Sequence, residues 1–485
     1  MASRAIVLDG ARVGPADIAG LARRPGTAVR LDPGGLERAA AAHLSVKAIV
    51  TRRPVYGRNT GVGANRTEDV AAADSDTHGL RLLRSHAGGV GPLAPADQVR
   101  AMLAVRANQI LAGGAGLQPV FAQAMAGALG SGHLPEVHEV GAIGTGDLTA
   151  LAETGLTLIG ERPWTDGRGE PPAPVTLESG DALAFISSGA LTIGQAALAW
   201  ADIAALLRAT HVVTALSLLA VDGGSEPYDE EVHAARPHPG SVEVAAELRR
   251  LLGGPRQATA RVQDPFGYRC FPQVHGPAVE AAALTERVLT VEINAAAENP
   301  LVRAAGGTLH HHGGFHQAAL GLALDHLRVA LLHTAHLSTA RLATLVEPAL
   351  TGLRPFLASG ATASSGVMIL EYSANSALAD LRGLAYPAAL GHAVLSRGVE
   401  EHAGFASQSA RQTLRAAASY RLVLACELVS AVRALRQRGV TPDPGTPVGS
   451  AFAVASGRLD PRTEDRPLSG DVETAATLLD TLATT

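Results

Sequence analysis

Apolar and polar positions alternate with a helical period over most of this chain. In ADQVRAMLAVRANQILAGGAG, residues 96–116, apolar side chains recur near every 3.6 positions and a glycine pair stops the run, which predicts a helix. Residues 146–160 predict another, with Asp147 as its cap. Beyond Ser188 the pattern becomes long Ala/Leu-rich stretches at 192–220, 277–298, 315–345 and 409–437. Helices of that length stack into an elongated bundle, and their wide apolar faces imply burial against other subunits. The first sixty residues read as short strands and loops. Residues 439–469, rich in Pro, Gly and charge, read as a loop before a last short helix. The expected architecture is mainly α. An irregular N-terminal domain covers residues 1–188, and a long-helix bundle with the C-terminal region covers 189–485.

Composition sharpens this picture. Of 485 residues, 47% are apolar but only 3% are aromatic, so the core is mostly Ala, Leu and Val, which suits close helix packing. The net charge of −5 comes with no basic stripe, which argues against nucleic acid. Cys270 and Cys426 form neither a metal pair nor a disulfide framework, as expected in a reducing cytoplasm. The N-terminus turns polar too soon for a signal peptide, and charges interrupt every apolar run, so no membrane span is expected.

Four polar or glycine-rich loops, at 56–63, 85–91, 144–147 and 310–316, interrupt the helices and are the places to look for chemistry. In GAIGTGDL, residues 141–148, Gly144-Thr145-Gly146 reads as a helix-capping turn, an anion-binding helix end, or a backbone that cyclises on itself. Tyr56 precedes a glycine-rich flap; it is either a packed phenol or a base whose pKa of about 10 a neighbour must lower. Arg269, in DPFGYRC, is a surface arginine or a clamp for a substrate carboxylate. His86 is a pocket group or a histidine bonded to backbone. The HHHGGFH run, residues 310–316, lacks helical ligand spacing and reads as a polar loop, so no metal is expected.

Seven segments occur in order: YGRNTGVG, LLRSHAGGVGPL, VRAMLAVRANQILAGGAG, GDLTALAETGLTLIGE, RPHPGSVEVAAELRRLL, QDPFGYRCFPQVHG and EINAAAENPLV. Together they resemble the histidine and aromatic amino-acid ammonia-lyase and aminomutase family over residues 5–437. That resemblance implies a mostly α homotetramer whose active sites are built from several subunits. It implies an internal Ala-Ser-Gly that cyclises and dehydrates into an electrophile, 4-methylidene-imidazole-5-one. It also implies a loop tyrosine that removes the β-proton, matched by Tyr56, and an arginine that holds the carboxylate, matched by Arg269. His86 and Glu400 match a histidine-type pocket. Arg58 beside Tyr56, and Phe315 in the Gly-Phe-His run, complete the expected substrate-binding set.

The chain departs from this pattern at four places. Gly144-Thr145-Gly146 stands for Ala-Ser-Gly, Ser187 for an asparagine that helps polarise the electrophile, Phe266 for a tyrosine, and Gly314 for an asparagine. These departures lead to the expectation of an ammonia-lyase-fold enzyme with no cofactor. Tyr56 would perform acid–base chemistry for elimination, conjugate addition, cyclisation or isomerisation on a small amine- or carboxylate-bearing substrate, of a kind suited to specialised biosynthesis. The alternative is a genuine ammonia lyase or aminomutase with a Thr-derived prosthetic group. A non-catalytic homologue is the third reading.

Overall fold

The computed structural model describes residues 5–255 and 261–485. The opening residues 1–4, part of the segment weighed as a signal peptide, lie outside the described residues. The chain is mainly helical and forms two compact units that alternate along the sequence. The first holds residues up to 201, 285–325 and 387–411; the second holds 202–284, 326–386 and 412–485.

In the first unit, strands Ile6–Leu8 and Val29–Leu31 pair in parallel. Val90–Leu93 pairs antiparallel with His138–Val140, and Leu301–Arg303 with Thr308–His310. Two helices, Pro15–Arg23 and Pro33–Val50, stand where the sequence pattern implied only strands and loops. Local chemistry explains the second. Asp32 accepts a hydrogen bond from the Gly35 N–H at 2.9 Å, and Pro33 occupies the first turn, where its missing N–H costs nothing. Its buried face is Gly35, Ala39, Ala42, His43 and Val46, so small residues carry the stripe and the apolar signal is faint.

The helix Ala96–Leu111 is fully formed as expected, and its second half is buried on every side. It carries Arg106, wholly buried, whose Nη1 pairs with Glu298 Oε1 at 2.6 Å. The same guanidinium donates to the carbonyls of Phe185 and Ala184, at 2.9 and 2.6 Å, and so fixes the end of the helix Asp181–Ile186. Breaking a buried pair of this kind costs about 3–5 kcal/mol.

The second unit holds the larger part of the long helices Ala190–Ala220, Ala318–Leu345 and Ala406–Gln437. Its core is aliphatic, with Tyr228, Tyr268 and Tyr420 as its largest neutral members. Glu427 is fully buried there. It pairs with Arg341, Nε to Oε1 at 2.6 Å, and accepts from the hydroxyls of Ser217 and Ser338 at 2.8 and 2.5 Å. These four residues come from the three long helices, which are thereby set in register. The expected C-terminal loop contains a helix, Pro447–Arg458, started by Thr446 accepting from the Gly449 N–H at 3.1 Å. The helical stretch Asp181–Ala220 is long and apolar enough to cross a membrane, but 83% of its apolar window is buried, as in a core helix.

Candidate active site

The turn at residues 143–147 lies among the first residues of several helices. Asp147 takes the N-cap position of Leu148–Leu158, and its N–H donates to the Ser188 carbonyl at 2.7 Å, just before Ala190–Ala220. Gln317, one residue before Ala318–Leu345, donates its N–H to the Gly144 carbonyl at 3.1 Å. Phe405, one residue before Ala406–Gln437, donates its N–H to the Ile143 carbonyl at 2.8 Å. Four helix N-termini thus meet at one short segment. Each carries a partial positive charge, so the segment is suited to hold an electron-poor group or an anion.

The sequence-based assignment of Asp147 as a side-chain cap is corrected here. Its carboxylate makes no cap bond to its own helix; it accepts from the Thr192 N–H at 2.7 Å and Oγ1 at 2.8 Å, in the first turn of Ala190–Ala220. Burial raises the Asp147 pKa, against the Thr192 bonds that lower it.

Gly144 and Gly146 have φ of +89° and +112°, where L side chains are rarely found. A Cβ at Gly144 would lie 2.7 Å from the Ala406 nitrogen. Thr145 between them is half-buried.

The Tyr56 hydroxyl accepts from the Gly63 N–H at 2.7 Å, and its own N–H donates to His311 Nε2 at 3.2 Å. Burial raises its pKa, the Gly63 bond opposes this, and the Glu400 carboxylate raises it further. Glu400 is exposed, at the end of a loop joined to the Tyr56 flap by Ser396, whose Oγ accepts from the Ala64 N–H at 2.9 Å. Ser396, Arg397 and Phe405 all have left-handed backbone, with φ of +52°, +57° and +49°. Such residues cost about 1–3 kcal/mol each and concentrate at functional sites.

Arg58 faces inward. Its Nη2 donates to the carbonyls of Ala115 and Gly116 at 3.2 and 2.9 Å, and burial lowers its pKa to about 10. A small open pocket is lined by Tyr56, Arg58, Leu183, Glu298 and Asn299. Ser187 is buried, and its Oγ accepts from the Asn299 N–H at 3.1 Å, leaving its own hydrogen to donate. His86 ends the helix Ser75–His86, with Nδ1 at 2.9 Å from the Leu82 carbonyl, the backbone-bonded arrangement.

The histidine run ties loops together. His312 Nε2 lies 2.8 Å from the Glu298 carbonyl, and its Nδ1 accepts from the Gly314 N–H at 2.8 Å. Phe315 is half-buried, and His316 Nε2 lies 3.0 Å from His402 Nδ1. Among the described residues no group of three or more His, Cys, Asp or Glu is placed to hold a metal.

The first unit therefore gathers Tyr56, Arg58, His86, Gly144-Thr145-Gly146, Ser187, Phe315 and Glu400. Phe266 and Arg269 belong to the second unit, where the Arg269 guanidinium stacks on the exposed Phe266 ring at 4.4 Å. Gln317, Ser396 and the Arg106–Glu298 pair escaped the sequence reading. Gln317 directly follows the histidine run, but a single glutamine carries no signal of its own.

A sequence profile of the aromatic amino acid lyase family matches residues 13–456. The chain belongs to that family. The chain is 36% identical to a histidine ammonia-lyase of Sorangium cellulosum, over 96% of this chain and 95% of the relative. Its fold matches the ergothioneine-degrading enzyme ergothionase of Treponema denticola, with a TM-score of 0.90, 25% identity and 99% of both chains covered. It also matches a tyrosine aminomutase from Streptomyces globisporus, with a TM-score of 0.91 and 26% identity, over 99% of this chain and 97% of that one. The chain is a carbon–nitrogen lyase on an ammonia-lyase/aminomutase fold.

The expectation of an enzyme with no cofactor is overturned by this membership. Family profile and histidine ammonia-lyase relatives place the chain among proteins whose reaction, by the resemblance already described, runs on the self-made imidazolone. The residues present fit that group. Ring closure needs the Gly146 nitrogen to attack the Gly144 carbonyl, whose oxygen already accepts the Gln317 N–H. Two side-chain acceptors nearby, Gln317 Oε1 and Gln408 Oε1, are buried without a donor, at a cost of about 1–3 kcal/mol each. Gln408 adjoins the turn through its Nε2, which donates to the Ala142 carbonyl at 3.2 Å.

Proposed function

We propose that this chain is an ammonia lyase or aminomutase acting on histidine or another aromatic amino acid, with a prosthetic group made from Gly144-Thr145-Gly146. Dehydration of Thr145 makes it an ethylidene rather than a methylidene imidazolone. When formed, the group supplies the electrophile that turns the substrate's nitrogen into a leaving group.

The observation that carries the reading is the positive-φ turn at Gly144 and Gly146, pinned by the residues that lead into three other helices, in a chain 36% identical to a histidine ammonia-lyase. The other roles follow from what each side chain can do. Tyr56 removes the β-proton, and the Gly63 N–H steadies the phenolate that does so. Ser187, held by the Asn299 N–H, turns its hydrogen toward the pocket. Glu400 and His86 hold an imidazole or amine, Phe315 packs against the substrate, and Arg269, contributed by another subunit of the assembly, clamps its carboxylate. Arg58 acts indirectly, by bracing the Tyr56 loop against the Ala115 and Gly116 carbonyls. Assembly as a homotetramer with shared sites, and a cytoplasmic setting suited to the free thiols of Cys270 and Cys426, complete the reading.

Intact-protein mass tests it. The purified chain is expected to be lighter than its sequence by two waters and to release ammonia from L-histidine or a related amino acid. Thr145→Ala, with no hydroxyl to lose, is expected to keep at least one of those waters. A wild-type mass equal to the sequence mass would overturn the reading.

A further inference from the structure

Gln317 is 2% exposed. Its backbone N–H donates to the Gly144 carbonyl at 3.1 Å, and its Nε2 donates to the Gly189 carbonyl at 3.4 Å. Gly189 leaves room for this carboxamide; any Cβ there would collide with it. Residues 188–189 in turn touch the turn, through the Asp147 N–H to the Ser188 carbonyl at 2.7 Å. Gln317 therefore bridges Gly144, through its backbone, and the segment that holds Asp147, through its carboxamide. Its Oε1 is buried with no donor, although a buried acceptor in a tight polar site is normally satisfied.

We infer that Gln317 is a positioning residue for the self-processing of Gly144-Thr145-Gly146, an inference that rests on the function proposed above. Its backbone N–H polarises the Gly144 carbonyl, and Oε1 takes a hydrogen bond that exists only while the segment rearranges. The chemistry balances within the chain. The Gly146 nitrogen bonds to the Gly144 carbonyl carbon and gives up its proton; the carbonyl oxygen leaves as water with that proton and the one on the Thr145 nitrogen, as a C=N bond forms between the Gly144 carbon and the Thr145 nitrogen. Thr145 then loses its Cα hydrogen and its hydroxyl as a second water, and the Cα–Cβ double bond forms. No oxidant or metal enters. The acceptor matters because the Gly146 amide must give up its proton as it attacks.

Two substitutions separate this role from simple packing. Gln317→Leu keeps the volume and removes both donor and acceptor. Gln317→Glu also loses the donor to Gly189 but keeps the acceptor. Intact mass is read on the size-exclusion fraction that shows wild-type helicity; Gln317→Ala, which only removes atoms, substitutes if the leucine variant does not reach that fraction. Wild type is expected to lack two waters. Gln317→Leu is expected to retain at least one, or to lose them at least tenfold more slowly after synthesis, while Gln317→Glu is processed. Equal processing of wild type and Gln317→Leu overturns the inference. So does equal failure of the leucine and glutamate variants, which would make the Gly189 bond the whole effect. An unprocessed wild type overturns the functional reading and this inference with it.

Discussion

Asp147 and Thr192 are joined by two hydrogen bonds, N–H to Oδ2 at 2.7 Å and Oγ1 to Oδ1 at 2.8 Å, so the residue that opens one helix caps another. Asp147→Ala leaves the Thr192 N–H without its acceptor, while the Thr192 hydroxyl keeps Ser407 Oγ at 2.9 Å, and is expected to cost about 1–3 kcal/mol for the buried group left unpaired, read as a lower denaturation midpoint. Asp147→Asn keeps one acceptor and is expected to lose less. The folded pKa of Asp147 is raised by burial, so its contribution is greatest when protonated and falls as pH rises through the ordinary carboxylate range. Wild type should therefore gain stability relative to Asp147→Asn as pH is lowered toward that range, a trend that paired melts across pH would check.

Gly144→Ala moves the chain toward the family's usual residue, yet it is expected to harm it. The new Cβ would lie 2.7 Å from the Ala406 nitrogen and 3.0 Å from that of Phe405, on a backbone at φ +89°. A strained conformation of this kind costs about 1–3 kcal/mol before any clash is counted. The expected outcome is a lower melting temperature and less of the two-water mass loss; a stable, fully processed variant would show that the turn adapts freely.

Glu400 sets the phenol of Tyr56 from a neighbouring loop. Burial is the larger cause of the raised Tyr56 pKa, and the Glu400 carboxylate adds to it. Glu400→Gln removes a negative charge that disfavours the phenolate. The rising limb of the kcat/KM profile, which follows ionisation of the phenol that acts as base, should move to lower pH, with a matching shift in the tyrosinate absorbance lost in Tyr56→Phe. Tyr56→Phe itself is expected to lower kcat by at least about 100-fold, the usual worth of a positioned base. A profile unchanged in Glu400→Gln would separate the carboxylate from the phenol.

Arg58 sits next to Tyr56 in sequence but turns into the protein. Arg58→Ala is expected to leave the Ala115 carbonyl unpaired, at about 1–3 kcal/mol, to leave Gly116 with only His43 Nδ1 at 3.2 Å from its carbonyl, and to loosen the Tyr56 loop. Activity should fall through kcat and stability, with KM for the carboxylate substrate little changed. A large rise in KM at constant stability would instead make Arg58 a substrate contact.

The sequence by itself determined the long helices and the family. A 3.6-residue apolar period is a local property, so Ala96–Leu111 and the long helices beginning at Ala190, Ala318 and Ala406 were legible within a few residues. Motifs such as YGRNTGVG located Tyr56, and the departure at Gly144-Thr145-Gly146 was visible as a difference from a known pattern. That departure, with those at Ser187, Phe266 and Gly314, pointed away from a prosthetic group, because a residue's identity does not show what surrounds it. The small-residue helices Pro15–Arg23, Pro33–Val50 and Pro447–Arg458 were not legible, since alanine and glycine leave a weak stripe. Only the tertiary structure decided that Asp147 serves Thr192, 45 positions away, and that Gln317 serves Gly144 and, 128 positions away, Gly189. It also decided that Arg106 meets Glu298 across 192 positions. Hydrogen bonds and ion pairs between distant segments depend on how helices pack. No periodicity or spacing in the chain records them.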